Sequence, residues 1–245
     1  MPRRNFLVVL AYDGGGYEGW QRLPGEGRSI QGSVEAALAT ILGEAIEITG
    51  AGRTDRGVHA EGQAASFHSR TSLAPAEILF ALTRELPSDI VAISCREVDP
   101  RFHARFRVKG KTYRYRLHVG AVPDLALHAT SHHVAGPLDL PRMTEAAGIL
   151  EGEHDFAAFT NAKEGKTMRT IDSIRVERQG AVVDLLFEAK GFLYNQVRIM
   201  AAAILAAGEG RLTIADLARI MATRDRSKAP GALGAYGLCL LEVRY

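Results

Sequence analysis

Hydrophobic periodicity along this chain changes from strand-like to helix-like in one order and then repeats that order more loosely, which restricts the fold to two related α/β halves. Phe6 to Asp13 reads as a buried strand. Ile30, Val34, Ala37, Leu38, Ile41 and Leu42 then recur at helical spacing behind Ser29, whose hydroxyl can accept from a first-turn N–H. Ala45 to Thr49 and Gln63 to His68 predict short strands. A second helix starts near Pro75 and carries Ile78, Leu79, Leu82 and Leu86, and Pro87 closes it before the strand Ile90 to Ser94. The order is β-α-β-β-α-β. The second pass predicts strands at Lys111 to Val119, Ile171 to Arg178, Val182 to Ala189 and Leu238 to Val243. Its helices are Pro141 to Leu150, Phe192 to Ala207 and Ile214 to Met221. The expected architecture is α/β (α+β), with an extended, mixed and largely antiparallel sheet, helices packed on it and a central cleft between halves 1–105 and 106–245.

Composition narrows the function classes. Cys95 and Cys239 are too few and too far apart for a disulfide framework or a cysteine zinc site, which points to a reducing, cytoplasmic setting. The basic start at Arg3 and Arg4 passes straight into Tyr12-Asp13-Gly14 without a long apolar region, and no run approaches a membrane span. His103, His132, His133 and His154 have no metal-ligand spacing, and no P-loop occurs, so neither a metal nor a cofactor is expected. A formal charge of +2 cannot by itself establish a nucleic-acid partner.

Charge distribution says more. Arg101, Arg105, Arg107, Lys109, Lys111, Arg114 and Arg116 follow one another with no acidic residue between them. In an extended chain the odd-numbered members from Arg101 to Lys111 share one face, along which phosphates could lie. Tyr113 and Tyr115 then alternate with Arg114 and Arg116, interleaving stacking surfaces with cations. A solvated edge strand protected from aggregation reads the same way.

Gly52-Arg53-Thr54-Asp55-Arg56-Gly57-Val58-His59-Ala60 sets one carboxylate between two arginines on a glycine-rich backbone. Arg53 and Arg56 favour the ionised form of Asp55, a setting suited to a carboxylate nucleophile, although the same residues would also suit a turn capped by Asp55. Gly14-Gly15-Gly16-Tyr17-Glu18-Gly19 spells a dinucleotide fingerprint, but Leu23-Pro24-Gly25-Glu26-Gly27 interrupts the helix that such a site requires. The expectation is a flexible loop presenting Trp20, Gln21 and Arg22. Arg198 lies among Val197, Ile199, Met200 and Ile204, so it must reach solvent or an anion. Tyr194, four residues earlier, is expected on the same helical face.

The Asp55 motif, together with Phe102-His103-Ala104-Arg105-Phe106, Lys111-Thr112-Tyr113-Arg114-Tyr115 and Gly191-Phe192-Leu193-Tyr194-Asn195-Gln196-Val197-Arg198, resembles the tRNA pseudouridine synthase A family. The resemblance implies an isomerase that converts uridine to pseudouridine at positions thirty-eight to forty of the tRNA anticodon stem-loop, acting on tRNA rather than DNA, without cofactor or metal, as a homodimer. It implies Asp55 as nucleophile, Tyr113 as the ring that packs on the target base and Arg198 as the partner of the aspartate. Arg53, Arg56, Arg105 and Tyr194 are further substrate-binding candidates. The rival readings are a non-catalytic RNA-binding protein using the same basic strand, and a nucleotide-cofactor enzyme using the glycine-rich loop.

Overall fold

A computed structural model describes all residues except Met1, Pro2, Leu23, Pro24 and Glu26. The expected break at Leu23 to Gly27 therefore lies largely outside the described residues. Among those described, ten strands and five α-helices make a mixed α/β fold. The chain divides into two compact units, Met1–Lys109 with Leu240–Tyr245, and Gly110–Cys239.

In the first unit the order is β1 (Arg4–Tyr12), α1 (Ile30–Leu42), β2 (Ile48–Gly50), β3 (His59–Ser69), α2 (Pro75–Glu85) and β4 (Ile90–Val98), the succession predicted from periodicity. The strands are arranged β4-β1-β3-β10, where β10 is Leu238–Arg244, and β2 pairs with β3. Both β1 pairings and the β2–β3 pairing are antiparallel. β1 is buried along nearly its whole length, as expected of a central strand covered on both faces. Ser29 caps α1, its hydroxyl accepting from the Gly32 N–H at 3.1 Å. The expected division at residue 105 differs from the observed units at two places. Lys109 N–H donates to the Arg244 carbonyl at 2.8 Å, and the Tyr245 hydroxyl donates to the Ala104 carbonyl at 3.0 Å. These bonds tie residues 106–109 and the C-terminus into the first unit.

In the second unit β5 (Gly110–Val119), β9 (Val182–Ala189), β8 (Met168–Gln179) and β7 (Gly152–Asp155) are neighbours in that order, all antiparallel. The three-residue β6 (His132–Val134) runs parallel to β5. Both β6 and β7 are too short to show a period in the sequence. Helices α3 (Leu140–Leu150), α4 (Gln196–Gly208) and α5 (Ile214–Thr223) complete the unit. Almost every residue of α4 is buried, as an apolar face all round the helix requires. The expected helix from Phe192 starts four residues late. Asn195 takes a left-handed conformation at φ 60°, which ends helical continuity and leaves Tyr194 in the preceding turn. Tyr194 and Arg198 consequently do not share a helical face.

Candidate active site

Asp55 lies half-buried in the connection between β2 and β3, where its carbonyl accepts from the Val58 N–H at 3.1 Å and closes a turn through Gly57. The segment is held from outside by the residues that precede α1. Trp20 N–H donates to the Thr54 carbonyl at 3.0 Å, and the Tyr12 hydroxyl lies 2.9 Å from Thr54 Oγ1. Gln63 Nε2 donates to the Gly52 carbonyl at 2.9 Å. His59 Nδ1 accepts from the Gly14 N–H at 3.2 Å and lies 3.1 Å from the Asp13 carboxylate. The bonds to the Thr54, Gly52 and Asp55 carbonyls satisfy backbone groups that a loop would otherwise leave to water, so Asp55 stands on a fixed backbone.

The glycine-rich segment presents Arg22, which is exposed, but not Trp20. Trp20 is buried, with its ring over Gly50, and Arg22 pairs with the buried Glu35 at 3.1 Å. The glycines serve close approach. A Cβ at Gly14 would fall 2.0 Å from the Val58 carbonyl oxygen, and one at Gly19 would fall 2.7 Å from that of Thr54. Tyr17 anchors the same segment, its hydroxyl donating to Asp89 at 2.5 Å while Arg28 lies over its ring at 4.6 Å. Burial, and after it the Asp89 contact, pushes the Tyr17 phenol up to about 12, so it remains a donor. The glycines were the signal in the sequence, which by itself suggested only a flexible loop and neither the close backbone approach nor its partner.

Both arginines beside Asp55 are exposed. Arg56 lies 3.4 Å from the Glu18 carboxylate, so part of its field is spent on a second acid. The basic stretch also departs from expectation. From residue 101 to 107 the chain is a series of turns rather than a strand, with the Phe106 and Arg107 N–H groups both donating to the His103 carbonyl at 3.1 Å. Ala104 and Val108 enter the core of the first unit with Phe102 packed beside them, and that spacing curls the chain. The alternation needed for one phosphate-facing stripe is absent, although Arg101, Arg105, Arg107 and Lys109 all remain exposed.

In the second unit Tyr113 and Tyr115 share the buried face of β5, as alternation predicts. Tyr113 meets Phe192 edge-on, with ring centroids 5.4 Å apart. Tyr115 donates to the Gly234 carbonyl at 2.9 Å. Burial, then the charge of Tyr236, pushes its phenol well above the usual range, while Arg198 pulls it back. Arg116 forks onto the Asp184 carboxylate at 2.8 and 2.7 Å, directly across the strand pair, so the expected cationic face is partly neutralised. Arg198 donates from Nε to the Leu233 carbonyl at 2.6 Å and from Nη1 to Asn195 Oδ1 at 2.9 Å. Its head is thereby turned and held at the start of α4. Tyr194 is exposed, and its carbonyl accepts from Thr160 Oγ1 at 3.0 Å. Among the described residues no helix is long and apolar enough to cross a membrane.

A family model described as tRNA pseudouridine synthase matches residues 8–107 and 146–245. Among curated proteins, one from Acetivibrio thermocellus named tRNA pseudouridine synthase A is 38% identical over 244 residues, covering 99% of this chain and 100% of its own length. The protein of that name from Brevibacillus brevis is 42% identical over 245 residues, with 99% and 100% covered, and the one from Moorella thermoacetica 41% over 243, with 97% and 98%.

Proposed function

The chain belongs to the tRNA pseudouridine synthase family, and from that premise we propose that it isomerises uridine to pseudouridine at positions thirty-eight to forty of the tRNA anticodon stem-loop, with Asp55 as nucleophile. The observation that carries this reading is the Asp55 segment, a half-buried carboxylate in the family's motif on a backbone fixed by a second glycine-rich segment. Fixed placement matters because a reacting group held in attack geometry lowers the barrier before any chemistry begins. In the reaction the bond from C1′ to N1 breaks, the base turns, and C1′ bonds to C5. N1 gains a proton as C5 loses one, so no oxidant or energy source is consumed. An ionised Asp55 has three routes open to it: attack at C1′, attack at C6, or proton removal in a glycal route. The target base must leave the stack at a cost of a few kcal/mol, which an aromatic ring in the site offsets in part. Tyr113 is assigned that ring and Arg198 the cation serving Asp55, on the strength of their motifs. The enzyme is further proposed to act in the cytoplasm as a homodimer.

Purified protein mixed with tRNA carrying tritium at uridine C5, and nothing else, is expected to release tritium. Binding without release would support the non-catalytic RNA-binding reading instead.

Removing the charges of Arg101, Arg105, Arg107 and Lys109 is expected to weaken tRNA binding. The slope of log affinity against log salt should flatten by about 0.7 to 0.9 for each phosphate that these side chains no longer neutralise. An unchanged slope would assign these side chains to solvent.

Arg198→Met keeps an apolar stem in α4 but abandons the Leu233 carbonyl and the Asn195 side chain. A decrease of about 1–3 kcal/mol in stability is expected from the stranded acceptors. If Arg198 serves the carboxylate, the acid limb of the activity profile moves to higher pH, because a carboxylate without its cation holds a proton more tightly. A pH profile identical to wild type at reduced stability would leave Arg198 a purely structural role.

A further inference from the structure

Phe106 is the most exposed aromatic side chain among the described residues, and the proposed chemistry leaves it unused. The residue is 74% exposed, although it sits in a turn whose neighbours Ala104 and Val108 are buried. One face of the ring is covered by His103, stacked at 4.1 Å with the planes 23° apart. The His103 ring is itself fixed, since Nδ1 accepts from the Arg105 N–H at 3.2 Å. Beneath this pair the turn is bolted down. Ala104 N–H donates to Ser66 Oγ at 3.2 Å, and its carbonyl accepts from the Tyr245 hydroxyl at 3.0 Å. The aromatic surface is thus held in place before any ligand arrives, which removes an ordering cost from binding. Arg101, Arg105, Arg107 and Lys109 lie within five residues of it in the same segment, all exposed and with no ion-pair partner among the described residues. The nearest acid in sequence, Asp99, accepts from the Arg101 N–H at 2.7 Å.

A rigid, backed aromatic face on a segment that carries exposed, unpaired cations has the chemistry of a single-stranded nucleic-acid contact, where a base stacks and its phosphates meet the charges. We propose that Phe106, backed by His103, is a stacking platform for an unpaired base of the RNA substrate. The proposal rests on the reading of the chain as a tRNA-modifying enzyme. It adds a positioning residue outside the Asp55 segment, one that grips an unpaired loop nucleotide while a different nucleotide reacts. An apolar contact with a second copy of the chain would also use an exposed phenylalanine, but it would gain nothing from exposed, unpaired cations on the same segment.

The test compares Phe106→Ala, Phe106→Leu and Phe106→Trp in the full chain, with tRNA carrying tritium at uridine C5 and with the same tRNA bearing 2-aminopurine at unpaired loop positions. Phe106→Ala is expected to raise KM for tRNA about five- to a hundredfold with kcat near wild type. Phe106→Trp restores KM, whereas Phe106→Leu does not, because a base stacks on a π-face and not on an aliphatic side chain. Fluorescence at one loop position is quenched by wild type and by the tryptophan variant only. The salt slope stays at its wild-type value, since no charge has been removed. Equal KM for wild type and alanine, full rescue by leucine, a dimer that dissociates on substitution, or a general drop in melting temperature would each overturn the platform. Tritium release that continues unchanged in Phe106→Ala would leave the enzymatic reading standing. Phe106-dependent quenching without any release by wild type would reject the enzymatic reading and keep the platform.

Discussion

Asp55→Asn is expected to abolish pseudouridine formation while leaving the fold and tRNA affinity close to wild type. Asparagine matches aspartate in shape, and the turn closed by the Val58 N–H on the Asp55 carbonyl is a backbone bond that the substitution leaves in place. What it removes is the negative oxygen. A neutral amide is a poor nucleophile and a poor base, and loss of a nucleophile elsewhere costs about 10⁴- to 10⁶-fold in kcat. Tritium release from C5-labelled tRNA should therefore fall below detection while a filter-binding titration stays within about threefold of wild type. Turnover above a few per cent of wild type, with contaminating enzyme excluded, would remove Asp55 from the chemistry. A variant whose binding and melting temperature fell together would instead make Asp55 a structural cap of its turn.

Gly19→Ala is expected to have the second largest effect, although Gly19 carries no side chain and no chemistry. Its φ of 105° is unfavourable for any residue with a Cβ, and that Cβ would lie 2.7 Å from the Thr54 carbonyl oxygen and 3.0 Å from the Asp55 carbonyl carbon. The atoms that would have to give way are backbone, which cannot rotate aside. Backbone strain and overpacking each cost about 1–3 kcal/mol, so stability should fall by about 2–6 kcal/mol. Activity should fall further than the smaller folded fraction accounts for, because displacing a reacting group by about 1 Å can cost about a hundredfold. Gly43→Ala is the control, since Gly43 also has positive φ at the end of α1 but open space around it. It should be somewhat less stable with kcat unchanged. Equal kcat, measured per folded molecule, for the two alanine variants would show that the segment tolerates displacement and that the clamp on Asp55 is unnecessary.

Long periodic segments were legible before any coordinates. Ser29, Val34 and Leu38 announced α1, and Pro75, Ile78 and Leu82 announced α2, because burial of one helical stripe writes its own spacing into the chain. The strands β1, β5 and β9 were legible from their own spacing, and α4 from its apolar run though not its start. The Asp55 motif stands out in the sequence for a different reason: its carboxylate, its arginines and its glycines sit within nine consecutive residues, so the motif survives without knowledge of the fold. Tyr194 was misplaced because a left-handed Asn195 leaves no periodic trace. The basic stretch from Arg101 was read as a strand because charge pattern reports side-chain type and not backbone path. There Ala104 and Val108 were claimed by the core, and the chain curled to satisfy them.

Local order, then, was determined by the sequence itself, since periodicity, caps and a compact motif are properties of residues near one another in the chain. Only the tertiary structure decided that Gly14 and Gly19 serve the Asp55 segment, that Trp20 is core, and that Phe106 is left in water on a fixed histidine. Those assignments depend on which distant residue arrives within a few ångströms, and an approach across tens of residues leaves no spacing for a linear reading to find.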